Sequence, residues 1–390
     1  VKKRKNRIAL IDPVGVKAGM DHYDLLLLSG IKSDTCLVDL YSNFKLPAHE
    51  VNVNHVFFNT DVSKIKAISS NFFGFLKALR QSKQNHCDWI IVHVFRAGIF
   101  DLVTFAITRM MGLKLCAIVH DIESLDTVTL PFVRKTVIGK LPHLRIVHND
   151  FCKKELLKSL PPFLEKSTHV IPHVNFRHLF STYHDVPSAL EKLKTNNELP
   201  QKIHPDIQLC LDENIPLFLF FGQIKKAKGL DILLEAITQT TSKFKVIIAG
   251  KVRDENWERY EEIITVLNIK DRIIPVIRHI TDEERDYLFS ISLAIILPYT
   301  RIYQSGVLLM AMSFPKAVIA SDLSPNAEII TSEENGLLFQ SENTLELAQK
   351  INLLINNPTL SNTLSAVALK SIENRFNPAA IGKQFSDLLH

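Results

Sequence analysis

Short apolar runs, each closed by a polar or glycine-containing turn and followed by a stretch with helical periodicity, recur from one end of the chain to the other. In the first half, Arg7–Val14, Thr35–Tyr41, Val53–Asn59, Trp89–Val94, Lys114–His120, Arg145–His148 and His169–His173 read as strands. Helical stretches lie between them, notably Ser63–Gln84 and Gly98–Met111. The second half repeats the pattern with Phe218–Phe221, Phe244–Gly250, Arg272–Ile277, Leu293–Tyr299, Ala317–Asp322 and Gly336–Phe339. Strands that are apolar almost throughout and alternate with helices predict parallel sheets covered on both faces. From Phe176 to Asn214 the periodicity fades into a stretch rich in Pro, Asn, His and Lys, which reads as a connector. The expected fold is therefore α/β, with two doubly wound Rossmann-like domains facing a cleft. The first covers 1–175 and the second 215–372, with a connector over 176–214 and a terminal helix over 373–390 returning to the first domain. A chain of 390 residues exceeds the usual size of one core, which fits two domains.

In such sheets ligands sit at the carboxyl ends of the strands, and several of those ends carry chemistry. Phe218-Leu-Phe-Phe-Gly222 runs into a loop with Lys225, Lys226 and Lys228. Gly229 then opens a helix whose apolar positions Leu230, Leu233, Leu234 and Ile237 follow a 3.6-residue period. A helix start offers unpaired N–H groups and partial positive charge, so lysines there suit a phosphate or diphosphate. A solvated basic turn would use the same residues. After Leu293–Tyr299, the turn Gln304-Ser305-Gly306-Val307 opens another helix, with a hydroxyl at Ser305 and close backbone approach at Gly306. Two such starts in one domain fit a nucleotide diphosphate held from both sides. In the first half, Asp12-Pro-Val-Gly15…Gly19…His22 follows the first strand, and its spacing is not the dinucleotide G-x-G-x-x-G pattern. His120-Asp121 ends the fifth strand and points into the cleft; His148-Asn149 and His173 are weaker signals that would also be met by bonds to backbone.

Charge adds a direction to this picture. Through Asn175 there are 24 Lys and Arg against 15 Asp and Glu, and beyond it 22 against 26. The basic half is expected to face something anionic. Phe72, Phe73 and Phe75 interleave with cations from Lys64 to Lys83, a pattern that suits a helix on an anionic bilayer or an ordinary amphipathic helix packed on the sheet. Basic residues dispersed over several elements, without a reading motif, argue against nucleic acid. No apolar run reaches the ~18 residues of a membrane span. The basic start Val1–Arg7 is followed by Ile8-Ala-Leu-Ile-Asp12, which reads as a first strand and not an export signal. Five scattered cysteines with no C-x-x-C pair point to reduced, buried thiols and to no metal site.

Taken together, Gly222-Gln-Ile-Lys-Lys-Ala-Lys-Gly229, Leu297-Pro-Tyr…Gln304-Ser-Gly306, Ala317-Val-Ile-Ala-Ser-Asp322 and Glu328…Asn335-Gly-Leu-Leu-Phe339 resemble the retaining group 1 glycosyltransferases of the two-Rossmann (GT-B) architecture. Val119-His-Asp121 and Ile171-Pro-His173 match landmarks of that family's first domain. The resemblance implies an acceptor-side first domain and a nucleotide-sugar-binding second domain. Lys228 and Lys225 would neutralise the donor diphosphate. Gly222, Gln304, Ser305, Gly306 and Val307 would contact the donor, with Ile277 and Arg278 flanking the nucleobase. His120 would sit by the transferred sugar and Gly19 near the diphosphate and acceptor, with Asp121 and His22 on the acceptor side. The family's pair of glutamates is replaced here by Ile302 and Met310, neither of which accepts from a sugar hydroxyl; Gln304 would take over part of that role.

The implied activity is transfer of a hexose from a nucleotide diphosphate-sugar to a hydroxyl with retained configuration, without metal or bound cofactor. Its implied partners are that donor, a saccharide or lipid-linked saccharide acceptor in surface polysaccharide synthesis, and an anionic membrane surface, with no nucleic acid. The expected location is cytoplasmic, peripheral on the inner face of the plasma membrane. The alternative is a catalytically inactive nucleotide-sugar-binding protein or partner subunit. An epimerase on the same fold would need cleft carboxylates that the sequence does not reveal.

Overall fold

The computed structural model describes residues 5–15, 20–43, 51–57, 64–122, 130–177, 199–253 and 256–389. The chain divides into two compact units, Val1–Val174 with Phe376–His390, and Asn175–Arg375. Each is a parallel α/β sheet of the Rossmann-like kind, wound in both directions from its centre.

In the first unit seven strands run β1 (Asn6–Ile11), β2 (Cys36–Ser42), β3 (Asn52–His55), β4 (Trp89–Val94), β5 (Lys114–Val119), β6 (Leu144–Val147) and β7 (Thr168–Val170). Their order across the sheet is β3-β2-β1-β4-β5-β6-β7, with every pair parallel. The six strands of the second unit are β8 (Leu217–Phe221), β9 (Lys245–Ala249), β10 (Ile273–Val276), β11 (Ala294–Leu297), β12 (Ala317–Ser321) and β13 (Leu337–Phe339), in the order β10-β9-β8-β11-β12-β13. Strand order reverses between β1 and β4 in one sheet and between β8 and β11 in the other. Those switch points open a crevice at the carboxyl ends of the flanking strands. The apolar strands are buried on both faces as their composition requires; β11 and β12 are buried at every position.

The helix Met20–Ile31 was not legible as a helix because Leu25–Leu28 form a continuous apolar run, yet eight of its residues are buried. It crosses the terminal helix Pro378–Leu389 at backbone contact. A Cβ on Gly382 would collide with the carbonyl of Gly30, and one on Gly30 with the carbonyl of Pro378. The stretch expected as connector holds two short helices, Leu199–Ile203 and Pro205–Asp212. Proline at the first turn lacks the N–H that a helix start leaves unpaired anyway, and His204 caps the second helix by accepting from the Asp206 N–H. Read as breakers, these prolines hid the helices.

The helix Lys64–Gln84 packs on the first sheet through Phe75, Ala78 and Leu79, which are buried, while Ile68 and Phe73 stand 62% and 67% exposed among the exposed cations Lys77, Arg80 and Lys83. All five cysteines are buried free thiols. Among the described residues no helix is long and apolar enough to cross a membrane.

The glycine contact generates a direct test. Gly382→Ala forces two helix backbones apart and should cost about 2–3 kcal/mol, read as a melting temperature lowered by several degrees. A melt within about 1 °C of the parent would show that the crossing is looser than described.

Candidate active site

At the switch point of the second sheet, β8 and β11 each run into a turn and a helix, and the two turns are in contact. Lys226–Lys228 form a single 3-10 turn closed by Lys228 N–H to the Lys225 carbonyl at 2.8 Å. Gly229 follows with φ 66°, a left-handed conformation that favours glycine. A Cβ there would also strike the carbonyl oxygen of Pro298, so glycine is needed twice over. The Thr300 N–H donates to the Ala227 carbonyl at 3.0 Å, fastening the second turn to the first. Gly222 lies close to the other helix start as well; a Cβ on it would meet Val307 Cγ2 at 3.5 Å.

These backbone contacts bring side chains together that lie far apart in sequence. Lys228 Nζ sits 3.8 Å from the centroid of the Tyr299 ring, a cation–π contact that fixes the ammonium's position. Tyr299 is buried, and its hydroxyl is 3.5 Å from Ser305 Oγ. Ser305 caps the helix Gly306–Ser313 by accepting from the Leu308 N–H at 3.1 Å. The expected residues Lys228, Ser305, Gly306, Val307 and Gly222 thus share one corner of the sheet, with half-buried Lys225 and Gln304 on the same two turns. The residue that links them, Tyr299, stands in the sequence within the Leu297-Pro-Tyr match and at the end of an apolar strand, with no role assigned to its side chain. Ile302 is buried at 9% exposure and Met310 is half-buried, so both stand as apolar groups beside this corner.

Ile277 and Arg278 follow β10. Ile277 packs against the core. Arg278 turns its guanidinium onto Glu284 in a two-point pair, 2.8 Å at each contact. Glu284 also accepts from the Thr281 N–H while Thr281 Oγ1 accepts from the Glu284 N–H, completing a capping box. These hydrogen bonds, Arg278's first, overcome burial and hold the Glu284 carboxyl down to about 2.

In the first unit, His120 directly follows β5 and is 3% exposed. Phe95 stacks on its ring, centroids 4.4 Å apart. His22 and Asp121 are half-buried, the latter directly after His120. Gly19 lies outside the described residues. His148 and His173 each hold a backbone carbonyl through Nδ1, Ile171's at 2.9 Å and Val174's at 2.6 Å. His93, which the sequence hides as one polar position in Trp-Ile-Ile-Val-His-Val, touches His120 directly. Among the described residues no group of three His, Cys, Asp or Glu side chains is placed to hold a metal ion.

Comparison with known proteins places this geometry. Residues 205–370 match the family of glycosyl transferases group 1. An uncharacterized glycosyltransferase of Haemophilus influenzae is 30% identical over 178 residues, 44% of this chain and 49% of that protein. The capsular polysaccharide biosynthesis glycosyltransferase CapM of Staphylococcus aureus is 23% identical over 196 residues, 50% of this chain and 49% of its own. The chain spans about half the length of the curated relatives it matches. Among solved structures, HepE of Anabaena in complex with UDP and glucose superposes with a TM-score of 0.74 at 19% identity, covering 98% of this chain and 99% of that one. A glycosyltransferase from Rickettsia africae gives 0.71 at 18% identity, covering 99% of this chain and 98% of its own. These structural likenesses establish the α/β two-domain Rossmann-like fold.

The Glu284 pair makes stability depend on acidity in a defined direction. A carboxyl whose folded pKa lies below its ordinary 4.5 stabilises the fold fully above that value and loses the contribution as pH falls towards 2. Glu284→Gln keeps the cap but removes the charge. It should cost roughly 1 kcal/mol at neutral pH, a figure reduced for solvent screening because Arg278 is partly exposed. In denaturant melts the gap between variant and parent should close as the medium is acidified; a constant gap would contradict this assignment.

Proposed function

We propose that the chain is a glycosyltransferase that uses a nucleotide diphosphate-sugar donor. The observation that carries this reading is the fastening of Lys228, Tyr299 and Ser305 at the second sheet's switch point, within the segment that matches the group 1 family. Breaking a glycosyl–phosphate bond builds negative charge on the departing diphosphate. Cations and N–H donors already aimed at that charge lower the barrier without having to reorganise. Lys228 and Lys225 supply the cations, and the helix start at Ser305–Val307 supplies the N–H groups. Gln304 and His120 contact the transferred sugar, and the acceptor side falls to His22 and Asp121 of the first unit. HepE was solved with UDP-glucose, which makes a uridine diphosphate-sugar the first donor to test.

In this reading the acceptor hydroxyl attacks on the face from which the diphosphate leaves, and a leaving phosphate oxygen takes its proton, so configuration is retained. Lysine ammonium groups do the neutralising, and no metal takes part in the step. The acceptor is a lipid-linked saccharide of a surface polysaccharide, a choice supported by the match to CapM and by the basic first half. Exposed Phe73 and Ile68 among Lys77, Arg80 and Lys83 would rest on an anionic membrane surface. A second reading, nucleotide-sugar binding without transfer, is favoured by the apolar Ile302 and Met310.

Incubation with radiolabelled nucleotide sugars and membrane extract separates the two. Transfer predicts label in the lipid fraction, protein sedimenting with anionic vesicles, and a fall of about 10²–10³-fold in rate for Lys228→Ala. Binding of donor with no label transferred would leave the second reading in place, and an unchanged rate in Lys228→Ala would remove the lysine from the reaction.

A further inference from the structure

The carboxyl edge of the first sheet carries a buried polar cluster larger than one histidine needs. Asp12 follows β1, His93 lies in β4, His120 follows β5, and His148 and His173 follow β6 and β7. The helix Met20–Ile31 lays Tyr23 and Asp24 against them. His93 uses both ring nitrogens: Nε2 is 2.8 Å from Asp24 Oδ1, and Nδ1 is 2.8 Å from His120 Nε2. The side chains of His93 and Asp24 are 1% and 0% exposed. Asp12 is the charged neighbour of Asp24; it is itself buried and accepts from the N–H groups of Val14 and Gly15 at 2.8 and 2.7 Å.

A neutral imidazole has one N–H and one lone pair, so this row admits two proton arrangements. In the first, the Asp24 carboxylate accepts from His93 Nε2–H, His93 Nδ1 accepts from His120 Nε2–H, and His120 Nδ1 holds a lone pair. In the second, Asp24 O–H donates to His93 Nε2, His93 Nδ1–H donates to His120 Nε2, and His120 Nδ1 holds a proton. Passing from first to second, a proton binds His120 Nδ1, the Nε2 proton moves to His93 Nδ1, and the His93 Nε2 proton moves to Asp24 Oδ1. One proton enters, one carboxylate is neutralised, and no ring is charged.

We propose that Asp12 and Asp24 form a proton store wired through His93 to His120, which lets His120 Nδ1 exchange between hydrogen-bond donor and acceptor without becoming an imidazolium. His93, Asp24 and Asp12 are positioning residues that act through His120.

The surroundings favour storage on the carboxyls. Burial, helped by the neighbouring Asp24 charge, raises Asp12 to about 7, and burial raises Asp24 well above its usual range although Asp12 pulls it the other way. Burial lowers His93 to about 4 and, together with the neighbouring His93, His148 and His173, puts His120 well below its ordinary value. The other titratable neighbours are Asp21, which raises Asp24 further, and Tyr23, whose ring meets all four histidines with centroids 4.4 to 5.9 Å away. Cys116 stands near Tyr23. Among the described residues these groups include no lysine or arginine, and a proton on a carboxyl limits the buried negative charge.

Nitrogen NMR of the whole chain labelled at histidine, without donor or acceptor, reads this directly, because the two neutral tautomers and the imidazolium differ in shift at each nitrogen. Between about pH 5.5 and 9, His120 should pass from the Nδ1–H form to the Nε2–H form as pH rises, with no imidazolium at His93 or His120. Asp24→Asn, which cannot release a proton, should leave the His120 tautomer fixed across that range. An imidazolium at either ring, a His120 tautomer that ignores pH in the parent, or a pH dependence that survives Asp24→Asn would each overturn the proposal. If Asp24→Asn does not fold, the parent titration decides alone. None of these signals depends on the chain being a transferase.

Discussion

The backbone of Gly229 lies against the carbonyl of Pro298, and that approach sets the spacing of everything at the second unit's switch point. Because no side chain fits between them, the loop after β8 and the loop after β11 are held as one surface. The Thr300 to Ala227 hydrogen bond ties them a second time. Only then can Lys228 lie over Tyr299 and Tyr299 reach Ser305. Preorganisation of this kind matters for charge stabilisation, since a cation that must first be brought into place spends interaction energy on ordering a flexible side chain. The sheet supplies the rigidity: the core beneath the two turns includes Phe218, Phe220, Leu230, Leu233 and Leu234, all nearly or fully buried.

The first unit is organised by a different constraint. An ionised carboxylate moved out of water without a partner costs more than the roughly 5–15 kcal/mol by which a domain is stable. Asp12 and Asp24, both fully buried, therefore cannot both remain ordinary carboxylates. The fold answers with N–H donors to Asp12 and an imidazole for Asp24. The same cluster contacts His120, so the burial that makes the carboxyl ends of these strands costly also gives that histidine a defined partner in His93.

Much of this was legible in the chain and the rest was hidden for identifiable reasons. Every strand read from an apolar run is present, usually trimmed by a residue or more where the run continued into a turn, as at Arg7–Val14 against Asn6–Ile11. The lysine turn and the Ser305 helix start announce themselves because their chemistry is local. Contacts across long separations do not. His93 and Asp24 are 69 residues apart, and neither has a nearby signal that would mark it as more than a polar interruption in an apolar element. Tyr299 looks like the last residue of a strand, yet it links Lys228 to Ser305. Arg278, which the family resemblance sets beside the nucleobase, pairs with Glu284 six residues on, a pairing that requires the helix to turn back. The helices at 199–212 were masked by prolines that begin helices as readily as they end them.

The central claim is that the corner formed by the two turns grips a diphosphate, and calorimetric titration tests it without any knowledge of the acceptor. The account predicts that uridine diphosphate binds at least about tenfold more tightly than uridine monophosphate, a difference of ~1.4 kcal/mol, and that Lys228→Ala erases most of that gap. Equal affinity for the two nucleotides, or a gap that survives loss of the lysine, would contradict it.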